Sequence, residues 1–294
     1  MRYCLLRILQ RLEIFLLKIG FVRDTGRQTQ MQLIALYRQR LERQDLPIDF
    51  EEIGFNEYSP TYEDGILLYI FSLIGMSTKK LVDIGAGTVR GSSTANLIVN
   101  HGFTGLLIDG NPQNATLLND YYVTHPETRY GPPTTLSMMV HRESVNQILA
   151  SHDIKGEIDL LCIDVDGVDY HLWQAIDVIQ PRVVLVEYQD ILGPEKSWTI
   201  PYSTDFSLKA YSANKASNNY CGASLQAFAK LGRKKGYRLV GCNKGGWNAF
   251  FIRAGLGEEE LPEVTVESCF KYEWNKYGME NYLPLVEKLE WIEV

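Results

Sequence analysis

Acidic side chains stand at the ends of several short apolar runs in this 294-residue sequence. Asp83 lies inside the run from Leu81 to Ile84, Asp109 ends a second run, and Asp164 follows a third run that starts at Ile158. An acid at the end of a buried apolar strand is costly without a partner. These carboxylates are therefore the first candidates for ligand binding and for proton transfer.

The first apolar run leads directly into a glycine-rich turn. Gly85-Ala-Gly87 follows it, Gly91 comes shortly after, and a helix-like stretch covers residues 93–99. Strand, glycine turn and helix form the nucleotide-binding corner of a doubly wound sheet. Glycine allows the backbone to turn sharply and to approach a ligand closely. Asp109 ends the next run, where an acid can accept hydrogen bonds from both hydroxyls of a ribose.

Asp83 bears on which nucleotide this corner would bind. The turn of a dinucleotide-binding fold must admit a pyrophosphate, and an adjacent carboxylate would repel that group. S-adenosylmethionine has no phosphate and carries a positive sulfonium and an ammonium group. Asp83 therefore favours the methyl donor over NAD.

The segment Asp164-Val-Asp-Gly-Val-Asp169 concentrates further acidic groups, and His171 lies one turn into the helix predicted after it. Asp164 and Asp166 can share one face of a strand because side chains alternate. These groups could bind Mg²⁺ or a similar hard cation, or they could supply a general base for an acceptor hydroxyl. Both interpretations stay open, with Asp164 as base or metal ligand and Asp166 and His171 assisting. Asp169 is expected to cap the following helix.

Two other polar positions fall at the same predicted edge of the sheet. Glu187 ends the next apolar run, where it would bind the acceptor or hold a basic residue of a neighbouring loop. His141-Arg-Glu143 follows the third predicted strand. His141 alone is typical of a loop histidine whose hydrogen bonds are satisfied.

These motifs resemble those of class I S-adenosylmethionine-dependent methyltransferases. The stretch Asp83-Ile-Gly-Ala-Gly87 is similar to their first motif, and Asp109 is similar to their ribose-binding acid. The segment from Ile158 to Asp169 is similar to the Asp-Val-Glu-Gly-x-Glu segment of the FkbM-type group. Asp166 and Asp169 replace the usual glutamates of that segment.

The resemblance spans residues 58–253 and carries several implications. It implies S-adenosyl-L-methionine as the cofactor, with binding residues Asp83, Gly85, Gly87, Asp109 and Glu143. It implies methyl transfer to oxygen, rather than to nitrogen or carbon, on a hydroxyl of a sugar, a glycan or a small natural product. FkbM-type relatives act on such acceptors.

Two other classes of protein remain as alternatives. Tyr211 and Lys215 have the Tyr-x-x-x-Lys spacing of short-chain NAD(P) oxidoreductases, although the turn at Gly85 differs from the first turn of that family. A non-catalytic donor-binding or scaffold protein could also use the same fold, since fold does not determine function.

Apolar runs alternate with helix-like stretches from residue 66 onwards, which predicts an α/β fold. We expect a doubly wound, mostly parallel seven-stranded sheet of the Rossmann-like methyltransferase type, with the seventh strand antiparallel. The predicted organisation is an N-terminal helical appendage (1–52), a methyltransferase-like domain (53–255) and a C-terminal tail (256–294). The polar stretch 189–220 follows the fifth strand and is expected to form an acceptor-binding lid.

Composition and charge limit the other partners. A hydrophobic content of 45% supports a sizeable core, and a net charge of −7 argues against nucleic acid as the main partner. The five cysteines include no Cys-x-x-Cys pair, which favours a reducing, cytoplasmic compartment.

Residues 3–19 form a very apolar stretch that charged residues interrupt. Those charges argue against a membrane-spanning helix and against a secretory signal. An amphipathic helix is expected instead, with basic residues Arg2, Arg7, Arg11 and Lys18. It would contact the inner membrane surface peripherally, form a homodimer, or pack against residues 30–43.

Overall fold

The computed structural model describes residues 2–18, 26–206 and 219–294, with the side chains of the first helix described from Ile8 to Leu16. The sheet strands are β1 (Lys80–Ile84), β2 (Thr104–Asp109), β3 (Thr134–Ser137), β4 (Gly156–Ile163) and β5 (Ile179–Glu187), followed by β7 (Tyr237–Cys242) and β8 (Asn248–Arg253). Two short strands, β6 (Trp198–Thr199) and β9 (Ile292–Glu293), pair with each other.

Helices surround the sheet and precede it. The N-terminal helices are α1 (Arg2–Lys18), α2 (Gly26–Glu42), α3 (Phe50–Ile53) and α4 (Glu63–Ile74). The helices between strands are α5 (Ala95–His101), α6 (Pro112–Thr124), α7 (Val145–Ser151), α8 (Asp169–Ala175) and α9 (Leu225–Lys234), and the tail contains α10 (Glu273–Asn281) and α11 (Leu283–Val286).

The seven strands lie in the order β3-β2-β1-β4-β5-β8-β7. Strands β1 to β5 run parallel, whereas β8 runs antiparallel to both of its neighbours. This arrangement confirms the predicted doubly wound, mostly parallel sheet with one antiparallel strand near its edge. The carboxyl ends of β1, β2, β4 and β5 therefore meet at one edge of the sheet, where ligands bind in folds of this kind.

Alternating side chains bury both faces of the sheet. Val82 and Ile84 of β1 face a core that includes Trp173 of α8 and Phe228 of α9. Leu81 faces the opposite core, which α2, α4, α5 and α6 cover. Strands that are apolar on both faces are typical of a parallel sheet covered by helices on each side.

Through its described side chains, the first helix packs on the body of the protein against α6 and the glycine turn. Ile14 is buried there, and the side-chain amide of Gln10 donates to the Leu117 carbonyl (3.0 Å) and accepts from the Val89 amide (3.3 Å). Glu13 forms two hydrogen bonds with the Arg90 guanidinium, at 3.0 and 3.1 Å. One face of α1 is thus fixed next to the predicted donor site.

The described part of segment 189–220 contains ordered structure close to the sheet edge. Ile191, Leu192 and Ile200 are buried, and β6 pairs with β9. The ring of Phe206 packs on Gly167, where an added Cβ would lie 2.4 Å from a ring atom. The Gly222 amide donates to the Gly167 carbonyl at 3.0 Å. Phe206 and Gly222, which flank residues 207–218 in the chain, therefore both contact the loop at Gly167. The acceptor-binding lid expected in segment 189–220 stays a prediction.

Candidate functional site

The glycine turn after β1 is shaped by two close approaches. Gly85 has φ +95°, and a Cβ at this position would lie 1.7 Å from the Asp164 carbonyl oxygen. The amides of Gly85 and Ala86 both donate to the Ile108 carbonyl, at 2.8 and 3.1 Å. Gly87 has φ +62°, and a Cβ there would meet no heavy atom nearer than 3.8 Å. The backbone is therefore closely packed against β4 at Gly85, whereas the space next to Gly87 is open. Such an opening is what a ligand needs to approach the backbone of the turn.

Asp109 lies directly across from this turn at the end of β2. One carboxylate oxygen accepts a hydrogen bond from the Gly87 amide (2.8 Å). The other accepts from the Asn111 amide (2.7 Å) and the Asn114 side chain (3.2 Å). A carboxylate has about four lone-pair sites, so Asp109 keeps capacity for a ligand hydroxyl while its orientation is fixed.

Asp83 is buried beneath the turn rather than exposed at the edge. Its side chain is 2% exposed and accepts a hydrogen bond from the Thr94 hydroxyl at 2.6 Å. Burial raises the pKa of Asp83 to about 6, against the opposing effect of that hydrogen bond. Asp83 therefore holds the start of α5 against β1, and its role towards a cationic ligand stays a prediction.

Three carboxylates from two neighbouring strand ends meet at the edge of the sheet. Asp164, Asp166 and Glu187 each offer an oxygen within 4.8 Å of the others. The surrounding protein atoms, then repulsion from Asp169 and Asp166, raise the pKa of Asp164 well above its ordinary value. Desolvation and the charge of Asp164 raise the pKa of Glu187 in the same way, and the two side chains share a hydrogen bond. Such a pair retains a proton that isolated carboxyls would lose.

Asp169 stabilises the loop that carries these carboxylates. It accepts hydrogen bonds from the amides of Val165 (2.8 Å) and Gly167 (2.9 Å), and burial raises its pKa to about 6. Asp169 is the first residue of α8 and gives the helix no side-chain cap, so the predicted capping role is wrong. The loop turns back on itself through Asp166, with φ +57°, and this brings the Val165 and Gly167 amides to the Asp169 carboxylate.

His171 is not brought into the carboxylate group. It is buried on α8, and its Nε2 lies 2.8 Å from the Ile200 carbonyl oxygen. Burial lowers the pKa of His171, which favours the neutral ring. Its ring makes an edge contact with Tyr202, with centroids 5.3 Å apart. In this position His171 holds the segment after β6 against α8.

Glu143 lies at the surface after β3 and takes part in a second small polar cluster. The Tyr202 hydroxyl donates to its carboxylate at 2.6 Å, and the Arg142 guanidinium donates at 2.9 Å. These two hydrogen bonds lower the pKa of Glu143 to about 2. The Arg142 guanidinium also stacks on the Tyr202 ring, 3.9 Å from its centroid. The cluster joins Tyr202, within segment 189–220, to the loop after β3 that carries Glu143, a predicted donor-binding residue.

Replacing Tyr202 by phenylalanine tests this link. Because the hydroxyl stabilises the charged carboxylate, its loss should raise the pKa of Glu143 from about 2 towards the ordinary glutamate value. A carboxyl-carbon NMR titration measures that pKa directly. Tyr130→Phe is the matched control, since Tyr130 is 88% exposed. An unchanged Glu143 titration in Tyr202→Phe would mean that the hydrogen bond does not form in solution.

Glu63 also contributes to this edge of the sheet, although it lies outside the sequence motifs described above. Glu63 is fully buried at the start of α4 and accepts hydrogen bonds from the side chains of Asn243 (2.6 Å) and Asn248 (2.7 Å). Asn248 pairs with Glu187 across the β5–β8 ladder. Glu63 thus joins α4 to the β7–β8 turn beside the carboxylate group. An acid that precedes the apolar run Ile66–Ile74 was the only available signal.

A cavity of about 410 Å³ lies at the carboxyl end of β7, away from the predicted site residues. Its walls come from residues 47–51, from the end of β7 and from residues 261–272, and they include Phe50, Cys242 and Cys269. Tyr188, next to Glu187 in the chain, lies close to Cys242 and interacts with it electrostatically. The cavity therefore lies at the same edge of the sheet as the carboxylate group, at β7, which β8 separates from β5.

No protein-family profile and no curated protein matches this sequence. The structure is similar to that of the mitomycin 7-O-methyltransferase MmcR, with 18% identity over 65% of this chain and 53% of that chain, and a TM-score of 0.36. It is similar to CalO1, a methyltransferase in calicheamicin biosynthesis solved with SAH bound (15% identity, 63% and 52% coverage, TM-score 0.35). A third similar structure is CrArsM, an arsenic(III) S-adenosylmethionine methyltransferase from Chlamydomonas reinhardtii. The sequence identity is 16%, the match covers 74% of this chain and 71% of that chain, and the TM-score is 0.37.

The chain spans about half the length of the first two of these structures. Structural similarity with TM-scores this low does not assign a function. The fold is assigned from the order and direction of the strands in the sheet.

Proposed function

We propose that this chain is an S-adenosylmethionine-dependent methyltransferase that transfers a methyl group to a hydroxyl of a sugar, a glycan or a small natural product. One observation carries the proposal. A glycine turn bonded to Asp109 and a group of three carboxylates lie at adjacent strand ends on one edge of a doubly wound sheet.

The charges at this edge support a cationic ligand over a phosphorylated one. Asp83, Asp109 and Asp164 surround the turn at Gly85, and Glu187 adds a fourth carboxyl. A pyrophosphate here would face several acids, whereas a sulfonium and an ammonium would be attracted. Of the open alternatives, a dinucleotide-dependent oxidoreductase fits these charges less well. Its proposed pair, Tyr211 and Lys215, lies outside the described residues.

The donor set fits S-adenosylmethionine at each of its polar parts. The open space above Gly87 would admit the ligand, the remaining lone pair of Asp109 would accept from a ribose hydroxyl, and the carboxylates after β4 would face the cationic end. Glu143 lies on the loop after β3 and is one of the cofactor-binding residues that the family resemblance implies. When bound, the cofactor would supply an electrophilic methyl group.

In this mechanism the pair Asp164 and Glu187 would remove the proton of the acceptor hydroxyl. Asp164 takes the proton of the acceptor hydroxyl, and Glu187 orients Asp164 through their shared hydrogen bond. A raised pKa makes a carboxylate a stronger base once it is ionised. A cation nearby lowers the pKa of the pair and favours the ionised form that can accept a proton. Asp166, exposed at the same loop, would contact the acceptor.

The same three carboxylates could bind Mg²⁺ in place of acting as a simple base. Hard divalent cations prefer carboxylate oxygens, and Asp164, Asp166 and Glu187 can offer one oxygen each within 4.8 Å. Protonation of one carboxyl, or a bound cation, would each relieve the repulsion between Asp164 and Glu187. The general base needs no further component, so we propose it first and treat a metal as the second mechanism to be tested.

Titration of S-adenosylhomocysteine into the protein tests the proposed cofactor. We expect measurable binding to the parent protein and affinity about 10- to 100-fold weaker in Asp109→Ala. The variant loses a charge-assisted hydrogen bond to the ribose and the contact that orients the Gly87 amide. Isothermal titration calorimetry measures both affinities.

Asp120→Ala is the control for this titration, because Asp120 lies on α6 and lines a surface groove against α1 instead. It should bind like the parent protein. No heat with S-adenosylhomocysteine, together with clear binding of NAD(H), would overturn the proposal in favour of an oxidoreductase. If S-adenosylhomocysteine binds as expected, a donor-consumption assay with a panel of sugars, lipid-linked sugars and polyols would identify the acceptor class.

A further inference from the structure

Helix α1 has two faces of opposite character. Its inner face is fixed to the body through Gln10, Glu13 and Ile14. Its outer face exposes four large apolar side chains: Ile8 (58% exposed), Leu9 (46%), Leu12 (53%) and Phe15 (57%). Three of them, at positions 8, 12 and 15, follow the i, i+4, i+7 spacing of one helix stripe. A contiguous apolar stripe on the outside of a folded protein marks an interaction surface.

The charge of the surrounding sequence is opposite to that of the rest of the protein. Residues 1–43 contain nine Lys and Arg but three Asp and Glu, a net charge of +6, whereas the whole chain carries −7. Glu13, the acid within α1, is neutralised by Arg90 on the inner side. Arg11 is exposed next to the apolar stripe. The outer face of α1 thus combines apolar contact area with the exposed Arg11 at its margin.

We propose that α1 docks in the plane of an anionic lipid membrane, with Ile8, Leu12 and Phe15 buried among the acyl chains and Arg11 among the headgroups. An apolar face next to basic residues is the composition of helices that lie in the membrane interface. Among the described residues no helix is long and apolar enough to cross a bilayer. The acidic remainder of the chain would be repelled by the same lipids, so only this end of the molecule faces the membrane.

Docking in this orientation sets the distance between the membrane and the glycine turn. The Gln10 side chain bonds the Val89 amide and Glu13 bonds Arg90, and both partners lie in the turn that follows Gly87. The outer stripe is therefore separated from this part of the turn by one helix diameter, about 10 Å. An acceptor that is itself attached to a lipid headgroup would be delivered next to that edge of the sheet.

Vesicle flotation with the full chain tests the proposal, and it does not depend on the proposed methyl transfer. We expect flotation with phosphatidylcholine vesicles that contain phosphatidylglycerol and little flotation with phosphatidylcholine alone. Raising the ionic strength from 0.1 M to 1 M shortens the Debye length from about 10 Å to about 3 Å, so binding should weaken. The triple variant Ile8→Ser, Leu12→Ser, Phe15→Ser should bind at least about tenfold less.

The matched control is Met31→Ser, Leu36→Ser, two exposed apolar residues on α2 (54% and 44% exposed). It should float like the parent protein, and all three proteins should share one thermal unfolding midpoint, which shows that the outer-face changes leave the fold intact. Sedimentation velocity in parallel measures the mass in solution. Flotation that is absent, independent of phosphatidylglycerol, or equal in the triple variant overturns the proposal. A dimer that the triple variant dissociates, without lipid binding, assigns the face to a second copy of the chain and also overturns it.

Discussion

Gly85→Ala should abolish donor binding and destabilise the protein by about 3 kcal/mol or more. The new methyl group would be placed 1.7 Å from the Asp164 carbonyl oxygen, at a φ of +95° that alanine rarely adopts. Relief requires either the turn or the end of β4 to move. Both carry the proposed site, since the turn bonds Asp109 through Gly87 and β4 leads into Asp164. Urea denaturation and calorimetric titration of S-adenosylhomocysteine measure the two effects.

Gly91→Ala separates steric clash from backbone strain. Gly91 also has a positive φ, +118°, but a Cβ there would meet nothing within 4 Å. We expect this variant to lose about 1–2 kcal/mol of stability and to keep most of its donor affinity. Equal losses in the two variants would show that the contact between Gly85 and Asp164 does not define the site.

Asp164→Asn should reduce turnover by at least about 100-fold, the lower range for loss of a general base. The amide keeps the size of the side chain and can still hydrogen-bond Glu187, but it cannot accept a proton at neutral pH. Single-turnover assays across pH would separate this loss from a change in donor affinity, which should stay near that of the parent. Turnover that survives in Asp164→Asn at every pH would remove Asp164 from the mechanism.

The same substitution should stabilise the protein at high pH. The folded-state pKa of Asp164 is raised, so between its unfolded and folded values the native state binds more protons than the unfolded chain. The free energy of unfolding therefore falls as pH rises through that interval. Asp164→Asn removes this contribution, and its stability should exceed that of the parent protein above pH 7 and approach it near pH 4. Asp45→Asn, at an exposed carboxyl, should follow the parent curve.

A chelator distinguishes the two mechanisms at this site. If Asp164 acts as a simple base, parent turnover should be insensitive to EDTA. If the three carboxylates hold Mg²⁺, EDTA should abolish turnover and added Mg²⁺ should restore it. Asp166→Asn would then lower metal affinity, whereas in the metal-free mechanism it would raise the acceptor KM.

The sequence predicts the edge of this sheet well because local patterns and simple topology determine it. Apolar runs specify the strands, and parallel strands bring their carboxyl ends together. That reasoning anticipates the meeting of Asp164, Asp166 and Glu187, and the approach of Asp109 to the glycine turn. The roles proposed for these side chains remain predictions.

Side chains whose partners are distant in sequence could not be predicted in the same way. His171 and Asp169 lie in a motif that suggested catalysis and helix capping, yet their partners are a carbonyl in segment 189–220 and two amides of a strained loop. Glu63 is bonded to Asn243, 180 residues away. Local periodicity does not report such tertiary hydrogen bonds, because either residue alone is compatible with many other partners.

The antiparallel strand β8 has a consequence for synthesis of the chain. It is inserted between β5 and β7, so the edge of β5 stays unpaired until residues 248–253 have been made. That delay covers about 60 residues, several seconds at roughly 5–20 residues per second on a ribosome. During this time Val183-Val-Leu-Val186 presents an apolar strand with free backbone groups on one side, a template for intermolecular pairing. Nascent chains arrested before Asn248 are therefore the form of this protein that most needs a chaperone.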